Sequence, residues 1–337
     1  MTPEIALAGV LVAALVLYVL TGGADFGGGI WELLASGPRA QQQRHAIEKA
    51  IAPIWEANHV WLILAVVVLF SGFPPAFAAI STALHIPIVL LLIGIVLRGT
   101  AFVFRSYDTG PGQAERSRRW SMVFAVMSTL TPVMLGVCAG AVVSGDLRID
   151  PATGRVQTDF VSAWLAPFPF AVGAMVAVLF AWLAAVYLCV EHEGTELADD
   201  FRVRALFAGV LLGPLAALCL GLSRTGAPVI FEGLRASSWA VGLHGLTAVA
   251  ATGALLAIVN RRFRLARLLA GLQASCIVVG WALSQFPLVV VPDLSITAAA
   301  APTNVVETML WTLAIGAVPL GLAFRYLYAV FKPGAAR

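Results

Sequence analysis

Nine apolar stretches, each long enough to cross a bilayer, recur along this chain of 337 residues. A helix needs about 20 predominantly apolar residues to span the hydrocarbon layer. The stretches lie near 4–24, 53–72, 76–104, 120–144, 164–190, 205–223, 237–259, 267–290 and 304–331. In lipid, a spanning segment must satisfy its own backbone polar groups, which leaves helices or closed barrels. No run alternates in polarity as barrel strands do. The expectation is an all-α polytopic membrane protein, with 1–337 as a single integral membrane domain of about nine transmembrane helices. The longest connections, Asp146 to Ser162 and Glu191 to Arg204, leave no room for a soluble domain. The chain is 60% apolar and 12% charged, against about half and about a quarter in globular domains. The first stretch has no basic leader and no small-residue cleavage site, so it reads as a retained helix.

Prolines mark the boundaries. Pro53 opens the second stretch, Pro74 and Pro75 separate it from the third, and Pro292 and Pro302 bracket the last loop. Proline costs little at a helix start, where its missing N–H would have no partner anyway. Basic residues then set the expected topology. Connections after the odd-numbered helices carry Arg39, Arg44, Lys49, Arg105, Arg116, Arg118, Arg119, Arg202, Arg204, Arg261, Arg262, Arg264, Arg267, Lys332 and Arg337. Those on the other side carry Arg148, Arg155, Arg224 and Arg235. The positive-inside rule places the N-terminus outside and the C-terminus in the cytoplasm. These short basic loops report orientation and give no sign of nucleic-acid binding. The four cysteines, Cys138, Cys189, Cys219 and Cys276, form no CxxC pair and sit in or beside apolar runs. They read as core residues, so no metal site is expected.

Ionisable groups inside a span are costly and point to function. The densest cluster is Glu48 to Leu62, EKAIAPIWEANHVWL. Glu56 and His59 are three apart and share a helix face, and His59 lies about 9 Å past Pro53 at 1.5 Å per residue. One reading is a proton-loading or quinone-contacting site, with Asn58 beside it. The other is an acid at a helix N-terminus, favoured by the dipole, between interfacial anchors Trp55 and Trp61. Upstream, TGGADFGGG places Asp25 among glycines. Gly23 and Gly27 form a GxxxG pair for close helix packing, while Gly22, Gly28 and Gly29 suit a helix break. Asp25 and Glu32 would share a face if the helix continued; otherwise both are solvated loop acids. Arg98 reads as a snorkelling cation or as a partner for Asp25 or Glu56. Asn304 and Glu307 read as a capping pair. His85 and His244 lie at similar depth, about a dozen ångströms from the outer ends of their helices. Such a pair is what a bis-histidine haem requires, and it also arises by coincidence.

The segments TGGADFGGGIWELL, IEKAIAPIWEANHVWLILAVVVLFSGFPPAFA, LRGTAFVFRS, YLCVEHEGTELADDFRVRA and SQFPLVVVP resemble subunit II of the cytochrome bd quinol oxidases, including the cyanide-insensitive branch. The likeness runs in order from about Leu17 to the C-terminus. It implies two four-helix bundles plus one peripheral helix, in the bacterial cytoplasmic (inner) membrane. It also implies a terminal oxidase complex that oxidises quinol, reduces dioxygen to water and generates proton-motive force. By the resemblance, haems b and d belong to a partner, the haem-bearing subunit I of a heterodimer, and this chain ligates none. A structural quinone and a small single-helix subunit are further family partners. Subunit II itself carries no catalytic residue; it supports subunit I and contributes to proton or oxygen access. The family's acid after the Trp in its APxW segment, associated with a cytoplasmic proton entrance, corresponds to Glu56 after Trp55. The proton-pathway residues expected here are Glu56, Asp25 and His59, with Trp55, Asn58 and Arg98 in support. The chain departs from the family pattern at Gly22, where many relatives carry an acid before Asp25, and around Trp55, where some carry His and Asp and this chain has Ile54 and Glu56. Two rival readings remain: an ion-coupled secondary transporter, from glycine-interrupted helix ends beside acids, and a bis-His membrane cytochrome b through His85 and His244.

Overall fold

The computed structural model describes residues 2–52, 55–107, 113–150 and 153–331. Pro53 and Ile54, Lys332 and Arg337 lie outside the described residues. Among those described, nine helices are long and apolar enough to cross a membrane. In chain order they are α1 (Pro3–Leu33), the paired α3 (Trp55–Asn58) and α4 (Val60–Gly72), α6 (His85–Tyr107), α7 (Gln113–Ser144), α8 (Pro167–Glu191), α9 (Glu196–Gly226), α11 (Ala240–Val259), α12 (Phe263–Gln285) and α14 (Thr303–Phe331). Between them lie α2 (Ala40–Ile51), α5 (Pro74–Ala83), α10 (Pro228–Ala236), strands β1 (Leu288–Val290) and β2 (Leu294–Ser295), and α13 (Ile296–Ala299).

The first four spans form one group, in which α1 packs on α4 and α7, and α6 on α7. The next four form a second, in which α8 packs on α9 and α12, and α11 on α12 and α9. Contacts of α8 with α1 and α7 join the groups. Helix α8 is the most buried span, while α14 is peripheral and rests on α1 and α4.

Several boundaries differ from the sequence reading for local reasons. Helix α1 runs unbroken through TGGADFGGG to Leu33 rather than ending near residue 24. A glycine inside a helix costs about 1 kcal/mol relative to alanine, and here close packing offsets it. A Cβ on Gly27 would collide with the backbone carbonyl of Phe180 on α8, and one on Gly29 with Ser128 on α7. The expected third helix divides into α5 and α6 at Leu84. Pro87 cannot donate a backbone hydrogen bond to the Ala83 carbonyl, and its ring crowds that oxygen, so α5 ends there. The expected 267–290 helix stops at Gln285, before Pro287. The chain then turns into an antiparallel hairpin pairing Leu288 with Ser295 and Val290 with Leu294. The Val291 amide donates to the Val142 carbonyl (3.2 Å), tying this hairpin to the end of α7.

Helix α2 was not expected. It is amphipathic and buries Ala46, Ile47 and Ile51 across the end of the first group. Polar bonds to α9 hold it down. Arg39 forks onto Asp200 (2.9 and 2.6 Å) and reaches Glu196 (2.9 Å). Gln43 donates to Asp200 (2.9 Å) and accepts from Arg204 (2.6 Å). At the same end Arg202 donates to the carbonyls of Ile258 and Val259, and Arg261 pairs with Asp199 at 2.8 Å. Several cations that read as loop charges are thus built into the fold.

Candidate functional site

Unbroken α1 carries Tyr18, Asp25 and Glu32 at seven-residue spacing, two helical turns apart, so all three share one face. All three are buried. Helix α6 answers with Arg98 and Arg105 at the same spacing, both buried. The two helices bring Glu32 and Arg105 together directly: Arg105 Nη1 donates to Glu32 Oε1 at 2.7 Å. Seven residues earlier, roughly 10 Å along each helix, Arg98 interacts electrostatically with Asp25. The result is a two-rung ladder of acid and guanidinium.

Helix α7 separates the rungs. The Arg98 guanidinium lies over the Phe124 ring at 5.0 Å and that of Arg105 at 4.3 Å. Arg98 also covers Phe26 at 4.6 Å and donates from Nε to Ser128 Oγ at 3.1 Å. Ring faces carry negative charge density, so a desolvated guanidinium recovers there part of what it loses from water. The arginines therefore do not snorkel, and Glu32 is not a solvated loop acid. Arg105, counted above with the loop cations, is a buried member of the ladder.

The kinked second span supplies the remaining groups. Asn58, 1% exposed, donates from Nδ2 to Asp25 Oδ2 at 2.8 Å. His59 occupies the joint between α3 and α4, where its N–H reaches back only to the Glu56 carbonyl at 3.3 Å. Its ring lies among those of Phe26 (5.7 Å), Tyr18 (6.0 Å) and Trp55 (6.4 Å). Among the described residues, neither ring nitrogen has a hydrogen-bond partner. Asn58 Oδ1 and Arg98 Nη2 are likewise buried and unpartnered by protein. Buried polar groups without protein partners are the places where internal water is held.

Glu56 sits elsewhere. It is exposed and lines a recess of about 500 Å³ together with Glu48, Trp55 and Phe102. Trp55 connects this recess to the interior, since its ring meets both His59 and Phe102 (5.6 Å). Glu48 makes a second connection, with Oε1 3.6 Å from Arg105 Nε. The expected trio is therefore split: Asp25 and His59 lie within the helices and Glu56 at the mouth. Sequence reasoning placed Glu48 in the polar cluster without a role and missed Arg105 as a member. The signal was available in the matching intervals of Asp25 to Glu32 and Arg98 to Arg105.

His85 and His244 are not brought to a common site. His85 is exposed at the seam of α5 and α6, with Nδ1 3.0 Å from the Thr82 carbonyl and its ring against Phe160 at 4.8 Å. His244 is exposed on α11, in the other helix group. These positions do not fit a haem ligated by this pair.

The sequence model of the family described as "Cytochrome bd terminal oxidase subunit II" matches residues 3–331. The chain belongs to that family. Its relatives include the cytochrome bd-I ubiquinol oxidase subunit 2 of Escherichia coli K12, 26% identical over 201 residues, covering 58% of this chain and 51% of the relative. The cytochrome bd ubiquinol oxidase subunit 2 of Bacillus subtilis is 30% identical over 132 residues, covering 38% and 37%. The chain thus spans about half the length, or less, of these two curated relatives. Likeness of fold extends further. A chain of the bd oxidase from Geobacillus thermodenitrificans superposes with a TM-score of 0.82 at 18% identity, covering 99% of this chain and 100% of that one. Membership of the cytochrome bd subunit II family, with nine spans in two groups of four plus α14, makes this a multi-pass membrane protein.

Proposed function

We propose that this chain is subunit II of a bd-type terminal oxidase in a bacterial cytoplasmic membrane, a single membrane domain with its N-terminus outside. The complex oxidises two quinols and reduces one dioxygen to two waters. The observation carrying this reading is the family match across nearly the whole chain. Haems b and d, which supply the electron-transfer and oxygen chemistry, reside in the partner subunit I. The basic connections at the α2 end favour a cytoplasmic position for that end. A structural quinone and a small single-helix subunit complete the assembly.

Within this chain we assign proton uptake to the α2 end. Glu56 and Glu48 collect protons at the recess. Water held at the unpartnered nitrogens of His59 and at Asn58 carries them past Trp55 to Asp25. The Arg98 guanidinium, in electrostatic contact with Asp25, marks the inner end of this path. Co-expression with subunit I tests the reading. A haem-bearing complex should co-purify and consume oxygen with quinol. In that complex Glu56→Ala should slow consumption with the haem spectrum intact; unchanged turnover would remove Glu56 from the path.

A further inference from the structure

The recess at the α2 end carries more than an entrance needs. Its volume is about 500 Å³, within the range of roughly 300–1,000 Å³ typical of small-ligand sites. Two bases, His45 and Lys49, and two acids, Glu48 and Glu56, line it with Trp55 and Tyr107. The bases and Glu48 come from α2, Trp55 and Glu56 from α3, and Tyr107 ends α6. Two helices therefore hold four ionisable side chains of both signs around one space, and α6 closes it.

The position is that of a lipid headgroup. Trp and Tyr concentrate where a membrane helix leaves the hydrocarbon. Along α6, Leu92, Val96 and Val103 form an apolar stripe 53%, 63% and 44% exposed. Val103 also lines the recess, so an acyl chain lying on the stripe arrives at its mouth.

Charge selects among headgroups. A purely anionic headgroup would be drawn by Lys49 but repelled by Glu48 and Glu56. A trimethylated amine has no N–H to offer the carboxylates. A primary ammonium has three donors and bonds most strongly to ionised acceptors. We propose that this recess binds one aminophospholipid of the phosphatidylethanolamine type, with its phosphate on Lys49 and His45 and its ammonium between Glu48 and Glu56. The site shares Glu48 and Glu56 with the proton-uptake reading, but occupancy is measured without turnover, so the two readings fail separately.

Native mass spectrometry of the intact, delipidated complex tests it, using phosphatidylethanolamine, phosphatidylcholine and phosphatidylglycerol with identical acyl chains. Phosphatidylethanolamine should be retained at one copy, about tenfold more tightly than either of the others. Lys49→Glu should abolish that preference, while Glu115→Ala, at an exposed i,i+4 pair on α7, should leave it unchanged. Because the three lipids are compared on the unmodified complex, the outcome does not depend on a variant folding. Equal retention of the three lipids would overturn the proposal, as would a preference that survives Lys49→Glu. A co-purifying quinone lost in the Lys49→Glu complex and not displaced by phosphatidylethanolamine would overturn it too.

Discussion

The two four-helix groups solve the same packing problem with opposite materials. Among the described residues, every buried charged side chain (Asp25, Glu32, Arg98 and Arg105) lies in the first group. The second group buries Trp182 at its centre, with Nε1 donating to Gln273 Oε1 at 3.1 Å, amid alanines such as Ala185, Ala254 and Ala270. Its charges stay near helix ends: Arg202 bonds carbonyls at the end of α11, and Arg267 lies over Tyr187 at 5.2 Å. Packing alone is satisfied by the second solution. Taking a charge out of water costs several kcal/mol, and the first group bears that cost four times over. The difference supports the proposal that the first group is the working half and the second its frame.

The comparison breaks most easily at the lower rung. Arg105→Leu strands the Glu32 carboxylate in an apolar interior, and removing one member of a buried pair costs about 3–5 kcal/mol. The purified complex should lose its intact form at a markedly lower temperature. The double variant Glu32→Leu with Arg105→Leu should recover most of the loss, since replacing both charges leaves nothing uncompensated. Wild-type melting in Arg105→Leu would show that the rung bears no load. In the frame, Trp182→Ala leaves a cavity costing about 3 kcal/mol or somewhat more. No second substitution rescues it by charge removal, and oxygen consumption per intact complex should not change.

A smaller effect separates work from support. Asp25→Asn keeps the shape and the contact with Asn58 but removes the ionisable group. Oxygen uptake with quinol should fall about tenfold, equivalent to about 1.4 kcal/mol in the barrier, with haem absorption unchanged. Gln273→Leu is the matched control in the frame. It strands the Trp182 N–H, costs about 1–2 kcal/mol of stability, and should leave turnover alone. If both variants slow turnover equally, the division between the halves fails.

How much of this was legible in the sequence follows from which physics acts locally. Span existence was readable because a bilayer demands about 20 apolar residues wherever it is crossed. All nine spans are present, although α1 runs nine residues past its expected end. That end was hidden because glycines ordinarily weaken a helix; only Phe180 and Ser128, distant in sequence, show why these are tolerated. Helix α2 was missed because amphipathic segments between spans look like loops when only apolar length is counted. The groups now forming the site were nearly all noticed, and the resemblance supplied a role for Glu56. The ladder was not assembled, because Arg105 at a span's edge satisfies the positive-inside rule equally well. Pairing across 73 residues is tertiary information.

The smallest expected effect lies at the opposite end, where the hairpin closes the molecule. Arg148 donates to both oxygens of Asp293 (2.8 and 3.0 Å), and the Ile149 amide adds a third bond at 2.8 Å. Partial burial alone would raise the Asp293 pKa, but the Arg148 bonds and the Ile149 amide outweigh it and hold the carboxyl below its ordinary 3.8. A depressed carboxyl contributes stability above its unfolded pKa and loses it as pH falls through the lower folded value. Hydrogen-exchange protection of the Ile149 and Val291 amides should therefore be constant from neutral pH to about 4.5 and decline below 3.8. Asp293→Asn should weaken protection at neutral pH and flatten the decline. The α1 amides around Glu32 should show no matching change over that range, because they belong to an unbroken, buried helix rather than to a hairpin. A parallel loss of protection around Glu32 would mean that the α2 end opens to solvent as readily as the hairpin. The recess would then extend into the ladder itself.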